Sequence, residues 1–143
     1  MICLKLLKKM TFHFDIITGK LCPYCMNKTE YVDSKIIYGQ SYGMIYLCKE
    51  CDAYVGVHKG TNKALGRLAN KELREAKKKA HYYFDSLWKR GIEKGRNKQE
   101  VRSSAYKWLS KELEIEPKYT HIGMFDVELC NKVIKICKKW KKR

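Results

Sequence analysis

Short stretches in which strand-forming residues cluster or alternate with polar ones fill the first 57 residues of the chain. Phe12, Phe14 and Ile16 alternate with polar neighbours, which predicts a half-buried strand or an ordered arm within residues 1–20. Four further segments have strand composition and are separated by turn-forming residues: 29–33, 35–38, 44–47 and 53–57. The pattern predicts a small antiparallel sheet within residues 21–62.

Beyond residue 62 the apolar positions recur at steps of three and four, the period of an amphipathic helix. The first stripe predicts a helix over roughly 68–90 that ends at Gly91. Ser103 or Ser104 can cap a second helix that runs to about Glu114, and Asp126 can cap a third. The first stripe consists of Leu65, Leu68, Leu73, Ala76, Ala80, Phe84 and Leu87, and the third of Cys130, Val133, Cys137 and Trp140.

Two C-x-x-C pairs, Cys22/Cys25 and Cys48/Cys51, are separated by 22 residues within this sheet region. Such spacing is typical of a structural zinc ribbon, in which two turns each offer two thiolates to one tetrahedral Zn²⁺. A pair of redox dithiols is the alternative. Because protein sulfur would fill all four positions, no site remains for a metal-bound water, and the spacing argues against a zinc-hydroxide hydrolase.

The turn after each cysteine pair often needs a positive φ, which glycine adopts most easily. Neither pair is followed by glycine, and we expect Asn27 and Asp52 to adopt that conformation instead. Of the remaining cysteines, Cys130 and Cys137 lie seven residues apart on one helical stripe and are expected in a core. Cys3 has no assignment.

These patterns predict an α+β fold, a small antiparallel zinc ribbon followed by a three-helix unit. The expected organisation is an N-terminal arm or strand over 1–20, a zinc ribbon over 21–62 and a basic helical region over 63–143 packed on the ribbon. One structural Zn²⁺ would supply stability that a ribbon of this size cannot obtain from its core alone.

The formal net charge of +16 is concentrated in the second part of the chain. Residues 61–143 contain 23 basic and 10 acidic side chains, against 8 and 5 in residues 1–60. A basic module beside a zinc ribbon favours nucleic acid, DNA or RNA, as the partner. A solvated lysine-rich face is the alternative explanation. The candidate contacts are His58, Lys59, Lys63, Arg67, Lys71, Arg74, Lys77 and Lys78, and a basic tail follows at 138–143.

Tyrosines at 38, 42, 46 and 54 lie on or beside the predicted strands. Exposed tyrosines on a basic surface can stack on unpaired bases, whereas buried ones would build the small ribbon core. We expect the core role for at least two of them. His58 and His121 could serve a nuclease, but the sequence has no catalytic motif from which a reaction follows.

Proteins and membranes are the two other classes of partner. Zinc ribbons also dock onto proteins, so an adaptor or inhibitor that binds a host complex of transcription, translation or defence is the second hypothesis. A membrane is not expected, because the chain has no run of about 18 apolar residues. No secretory signal is evident, and reduced thiols in a cytoplasm are expected.

Seven segments of the chain together are distinctive. They are CPYC at 22–25, VDSKIIYGQSYGMIYLC at 32–48, AYVGVHKGT at 53–61, LGRLANKELREAKKKAH at 65–81, FDSLWK at 84–89, SAYKWL at 104–109 and HIGMFDVELC at 121–130. These segments resemble a family of zinc-finger-containing domains found in small bacterial and phage proteins, and the resemblance runs from about residue 21 to 137. It implies zinc ligation by Cys22, Cys25, Cys48 and Cys51 and a bacterial cytoplasmic or phage setting, and it implies no particular activity.

Overall fold

The computed structural model describes residues 14–141, and its chain separates into two compact units, Met1–Lys71 and Glu72–Arg143. The first 13 residues, with Cys3 and most of the expected arm, lie outside the described residues, as do the last two residues of the tail. Residues 63–71, which the sequence assigned to the helical region, group with the first unit.

A three-stranded antiparallel sheet forms the first unit, in the order β1-β2-β3. Strands β1 (Glu30–Asp33) and β2 (Met44–Cys48) pair with Glu30 opposite Leu47. Strand β3 (Ala53–Gly56) pairs with β2 so that Cys48 faces Ala53. The sheet, together with the helices that follow, confirms the α+β fold class.

The segment 35–38 was predicted as a strand, but it forms a single helical turn, Lys35–Tyr38. The side chain of Asp33 explains this difference. Its Oδ1 accepts a hydrogen bond from the backbone N–H of Lys35 at 2.8 Å, and its Oδ2 accepts one from the Ser41 hydroxyl at 2.9 Å. Short side chains that bond nearby backbone compete in this way with strand pairing. Gly39, with φ +73°, ends the turn.

The strand predicted around Phe14 and Ile16 is also wrong in its described part, because residues 14–17 are helical. The backbone N–H of Thr18 donates to the carbonyl of Phe14 at 3.0 Å. The Phe14 side chain is 58% exposed. In so short a segment, the alternation of apolar and polar residues does not distinguish a strand from a helix.

Residues 57–69 extend the first unit along β3 instead of beginning the long helix. Ala69 and Tyr54 exchange backbone hydrogen bonds of 3.0 and 3.2 Å, and the N–H of Leu65 donates to the Gly56 carbonyl at 2.9 Å. With its backbone paired to the sheet, this segment cannot form a helix at the same time. Leu65 is consequently half exposed, whereas Leu68 is fully buried in the first unit.

Helix α1 (Lys71–Glu93) therefore begins three residues later than predicted. Within the helix, the predicted stripe is buried as far as Phe84, whereas Leu87 is half-buried and Trp88 is buried in its place. Gly91 does not end the helix, which continues to Glu93. A Cβ at Gly91 would lie 2.8 Å from Cγ1 of Val101, so the glycine permits a close approach of the next helix. The buried residues of α1 are Leu73, Ala76, Ala80, Phe84 and Trp88.

Helix α2 (Lys98–Leu113) begins earlier than predicted, because Asn97 caps it in place of Ser103 or Ser104. The Asn97 side-chain oxygen accepts from the backbone N–H groups of Gln99 at 2.9 Å and Glu100 at 3.3 Å. The helix ends at Leu113, and Glu114 follows with φ +57°.

Helix α3 (Val127–Lys141) is capped as predicted by Asp126, whose Oδ1 accepts from the Leu129 N–H at 2.8 Å. Cys130, Val133 and Cys137 are buried on one face, while Trp140 remains 44% exposed. No helix in the described part of the chain is both long and apolar enough to cross a membrane.

Replacing Gly91 by alanine should destabilise the second unit. Overpacking against the buried Val101 side chain costs about 1–3 kcal/mol, and this exceeds the gain in helix propensity of about 1 kcal/mol. Thermal unfolding of G91A should show a lower Tm than the parent protein. In the G91A background, Val101→Ala should cost less stability than it does alone. An unchanged or higher Tm for G91A would show that the two helices do not approach as closely as described.

Candidate metal centre

The four cysteines of the two C-x-x-C pairs converge in the first unit. Cys22 and Cys25 lie in a turn closed by pairing of Leu21 with Lys28. Cys48 is the last residue of β2, and Cys51 lies in the turn that leads into β3. Two chain reversals separated by 22 residues are thus brought together by the antiparallel sheet, as the sequence predicted.

The sulfur positions fit one tetrahedral metal ion. All four Sγ atoms lie within 4.8 Å of one another, and those of Cys25 and Cys48 are 3.6 Å apart. Zn–S bonds of about 2.3 Å in tetrahedral geometry place sulfurs about 3.8 Å apart. Four soft donors at these separations suit Zn²⁺, and within residues 14–141 this is the only group of three or more potential ligands found.

Backbone hydrogen bonds shape the first of the two cysteine turns. The N–H of Cys22 donates to the Asn27 carbonyl at 2.9 Å, and the N–H of Met26 donates to the Cys22 carbonyl at 2.9 Å. The residue directly after the second cysteine has a positive φ in both turns, +63° at Met26 and +49° at Asp52. The expectation is correct for Asp52, but in the first turn Met26, and not Asn27, takes the left-handed conformation.

Apolar side chains cover one side of the cluster. Cys22 and Cys48 are buried together with Ala53 and Leu68, and the half-buried Tyr46 and Val55 pack against this group. Cys25 and Cys51 are half-buried. Because water has little access to the covered side, a bound ion there would be protected from exchange.

The thiols differ in how readily they ionise. A hydrogen bond from the Asn27 backbone N–H lowers the pKa of Cys25. Burial raises the pKa of Cys48, and it raises that of Cys51 to about 12. Four thiolates crowded together need a compensating cation, which a divalent metal would supply while holding the thiols deprotonated.

The described cysteines outside this cluster are not ligands. Cys130 and Cys137 are buried on α3 in the second unit, and burial raises the pKa of each thiol to about 11. They serve as small core residues there, as expected from their position on one helical stripe.

A model of the zinc-finger-containing domain family matches residues 18–140 of the chain. The chain belongs to this family. The match spans both units and includes all four clustered cysteines, and it confirms the resemblance drawn from the sequence motifs. The comparison with curated proteins and that with solved structures gave no match. For this zinc-finger-containing protein, the family and the thiol geometry together support zinc as the bound metal.

The predicted nucleic-acid contacts in the first unit fall on both sides of one loop. The backbone N–H of His58 donates to the Lys63 carbonyl at 2.9 Å, which brings the two residues together. Lys59 is exposed in the intervening turn. Arg67 is half-buried, and its Nε atom has no hydrogen-bond partner among the described residues. The predicted helical placement of Lys63 and Arg67 is wrong, because α1 begins only at Lys71.

His58 and Lys63 line a cavity of about 430 Å³, which we call the ribbon groove. Lys20 and the ring of Tyr46 also face it, and no carboxylate is among its described lining residues. The Tyr46 hydroxyl donates to the Asn62 carbonyl at 2.6 Å, and its ring lies 4.9 Å from that of Tyr31. The sequence suggested His58 and Lys63, but not their association with Lys20.

The predicted contacts on α1 are not equivalent. Lys71 and Lys78 are exposed, whereas Arg74 and Lys77 are half-buried. The Lys77 ammonium donates to the Gly123 carbonyl at 2.7 Å within the second unit. Lys77 therefore has a structural role that spacing alone did not indicate, and Lys71 and Lys78 are the predicted α1 contacts that are exposed.

The four tyrosines near the strands include both exposed and half-buried side chains. Tyr38 and Tyr42 are 53% and 72% exposed, whereas Tyr46 and Tyr54 are half-buried. The Tyr38 ring contacts those of Tyr42 and Tyr54 edge-on, with centroids 5.6 and 6.1 Å apart. Two tyrosines thus contribute to packing, and two present ring surface to solvent.

Zinc content separates the ligand cysteines from the others. We expect close to one zinc per chain in the purified protein, measured by elemental analysis. Cys48→Ser should lose most of this zinc and the order of the first unit, because three thiolates hold the ion less tightly. Cys137→Ala, which removes a buried thiol in the second unit, should retain it. Full zinc content in Cys48→Ser would contradict the ligand assignment.

Met26→Gly should stabilise the zinc-loaded protein. A left-handed conformation strains any residue with a Cβ, and removing this strain outweighs the added freedom of the unfolded chain by up to about 1 kcal/mol. Met26 is 45% exposed, so little packing is lost. The matched control is Asn27→Gly, at the neighbouring exposed position, which should give no gain in thermal unfolding. A higher Tm for Asn27→Gly but not for Met26→Gly would show that residue 27, and not residue 26, carries the strain.

Proposed function

We propose that this protein is a non-catalytic zinc-ribbon protein that binds nucleic acid through the ribbon groove and the exposed cations of α1. One zinc ion would have a structural role, holding the groove in shape. The observation that carries the proposal is the groove lining: Lys20, His58 and Lys63 lie beside an aromatic ring without a carboxylate among the described lining residues. Phosphates favour such a surface, and aromatic rings beside it favour unpaired bases.

The ion pairs described for the protein support this assignment. None of the ion pairs described for the protein involves Lys59, Lys63, Lys71 or Lys78. By contrast, Lys49 is paired with Glu30 at 3.6 Å. Cations without a carboxylate partner can neutralise phosphates and release counterions without first breaking an internal ion pair.

The exposed tyrosines add a second type of contact. Tyr31, Tyr38 and Tyr42 are each at least 44% exposed, and all belong to the ribbon unit. A base stacked on such a ring contributes about 1–3 kcal/mol and needs no particular sequence. Together with the groove, these rings favour single strands or RNA loops over regular duplexes.

The proposal includes no reaction. Protein sulfur would occupy the four positions around the metal, and no catalytic motif accompanies His58 or His121, the two histidines considered for a nuclease. A bacterial cytoplasm or a phage-infected cell is the setting that we propose.

A different observation favours the alternative, a protein adaptor or inhibitor. All three tryptophans of the chain line one largely apolar cavity of about 200 Å³ in the second unit, with Arg96 among its lining residues. Trp140 is partly exposed there and contacts the Trp108 ring edge-on at 6.2 Å. An aromatic cavity with a cation suits the side chains of an acidic host protein.

Salt titration of oligonucleotide binding tests the proposed function. For about six phosphate contacts on a single strand, the slope of log K against log salt should be about −4. Lys63→Gln should reduce the slope by about one contact. Lys49→Gln is the control in the same unit, because this lysine is already paired with Glu30, and it should change the slope much less.

Two outcomes would decide against nucleic acid. One is binding that does not change between low and physiological salt. The other is an equal effect of Lys49→Gln and Lys63→Gln, which would reflect net charge and not the groove. Protein partners that stay associated after nuclease treatment, and that are lost on Trp140→Ala, would support the adaptor instead.

A further inference from the structure

The second unit contains a cationic cleft that is distinct from the ribbon groove. Its volume is about 690 Å³, within the range typical of small-molecule sites. All of its lining residues belong to one face of α2 or to the segment that follows this helix. They are Lys98, Gln99, Arg102, Ser103, Tyr106, Lys107, Pro117 and His121.

Three cations and no carboxylate are among these lining residues. Lys98, Arg102 and Lys107 project from the same side of α2, and none takes part in a described ion pair. Glu116, next to the wall residue Pro117, is paired with Lys118 at 3.5 Å. The cleft thus presents positive charge that no acidic group in its lining neutralises, which is the electrostatic requirement of a phosphate site.

Aromatic rings provide the other half of the cleft. The Tyr106 ring lies 5.6 Å from that of His121, and the guanidinium of Arg102 lies 5.2 Å from the Tyr106 centroid. On the core side Tyr106 packs on Phe84, which is fully buried, with centroids 4.8 Å apart. This support fixes the tyrosine ring and positions the guanidinium of Arg102 over it.

The wall that carries His121 is held by the residues on either side of it. Thr120 and Ile122 are both fully buried, and the Thr120 hydroxyl donates to the Glu116 carbonyl at 2.9 Å. The backbone N–H of Met124 donates to the His121 carbonyl at 2.9 Å. His121 itself is exposed, and no hydrogen bond of its imidazole to another described residue is found. The ring is therefore positioned by its buried neighbours and by its contact with Tyr106, and no hydrogen bond to a described residue occupies it.

We infer that this cleft binds a nucleotide, with the phosphate on Arg102 and its neighbouring lysines and the base against the rings of His121 and Tyr106. A phosphate group would account for the cluster of cations, and a planar heterocycle would account for the supported aromatic rings. A nucleotide contains both. The nucleotide could be free or part of a strand. The inference does not depend on the proposed function, because none of these residues belongs to the ribbon groove or to α1.

The test is an NMR titration of the full-length, zinc-loaded protein with adenosine monophosphate, inorganic phosphate and a short 5′-phosphorylated oligonucleotide. We expect adenosine monophosphate to shift signals of residues 98–107 and 117–121, and to bind about tenfold more tightly than phosphate alone. Arg102→Gln and His121→Ala should each weaken its binding about tenfold. His121→Phe, which keeps a ring, should retain most of the affinity.

The control is Lys132→Gln, which removes the same charge from α3, where Lys132 is paired with Glu128 at 3.9 Å. It should leave nucleotide binding nearly unchanged. Localised shifts with the oligonucleotide alone, lost in His121→Ala, would support a nucleotide within a strand as the ligand. Equal affinity for phosphate and adenosine monophosphate, equal effects of Lys132→Gln and Arg102→Gln, or no localised shifts with any of the three probes would overturn the inference.

Discussion

The convergence of four thiols on one point is the constraint on which the first unit depends. Apart from the cysteines, the described residues of this unit bury few large apolar side chains, among them Leu21, Ile45, Leu47 and Leu68. Such a core offsets little of the conformational entropy of its loops. A bound zinc ion would contribute roughly 10–16 kcal/mol of apparent binding free energy, and we propose that metal binding and folding of the ribbon are one equilibrium. The second unit has a core with larger buried side chains, among them Phe84, Leu109 and Phe125.

Much of the metal site could be predicted from the sequence, because its determinants are local. A C-x-x-C turn brings two sulfurs together whatever surrounds it, and strands of similar length on either side of a turn pair antiparallel. What the sequence did not reveal depends on non-local contacts. Leu65 and Leu68 lie on the predicted helical stripe, but their segment pairs with the sheet region through Ala64 and Ala69. Leu68 therefore packs with Cys22 and Cys48 instead of joining α1. The choice of Met26 over Asn27 follows from backbone hydrogen bonds, not from residue preference.

Helix boundaries likewise could be predicted where the sequence signal is local, and were missed elsewhere. Asp126 caps α3 as expected, since it directly precedes the apolar stripe. Asn97 lies in a polar segment without periodicity, so the start of α2 was missed by several residues. That error concealed the cleft, because Lys98 and Arg102 lie before the helix start that was predicted at Ser103 or Ser104. Similarly, Lys77 could be recognised as a structural residue only once the Gly123 carbonyl was seen beside it.

The fully buried neighbours of His121 have a consequence for how such proteins can diversify. Thr120 and Ile122 are fully buried and carry most of the packing of that segment, whereas the exposed His121 between them contributes a single described ring contact, with Tyr106. A change at residue 121 should therefore cost little stability. If the cleft binds a nucleotide as we infer, a single codon change there would alter which compound it accepts while the rest of the architecture stays intact.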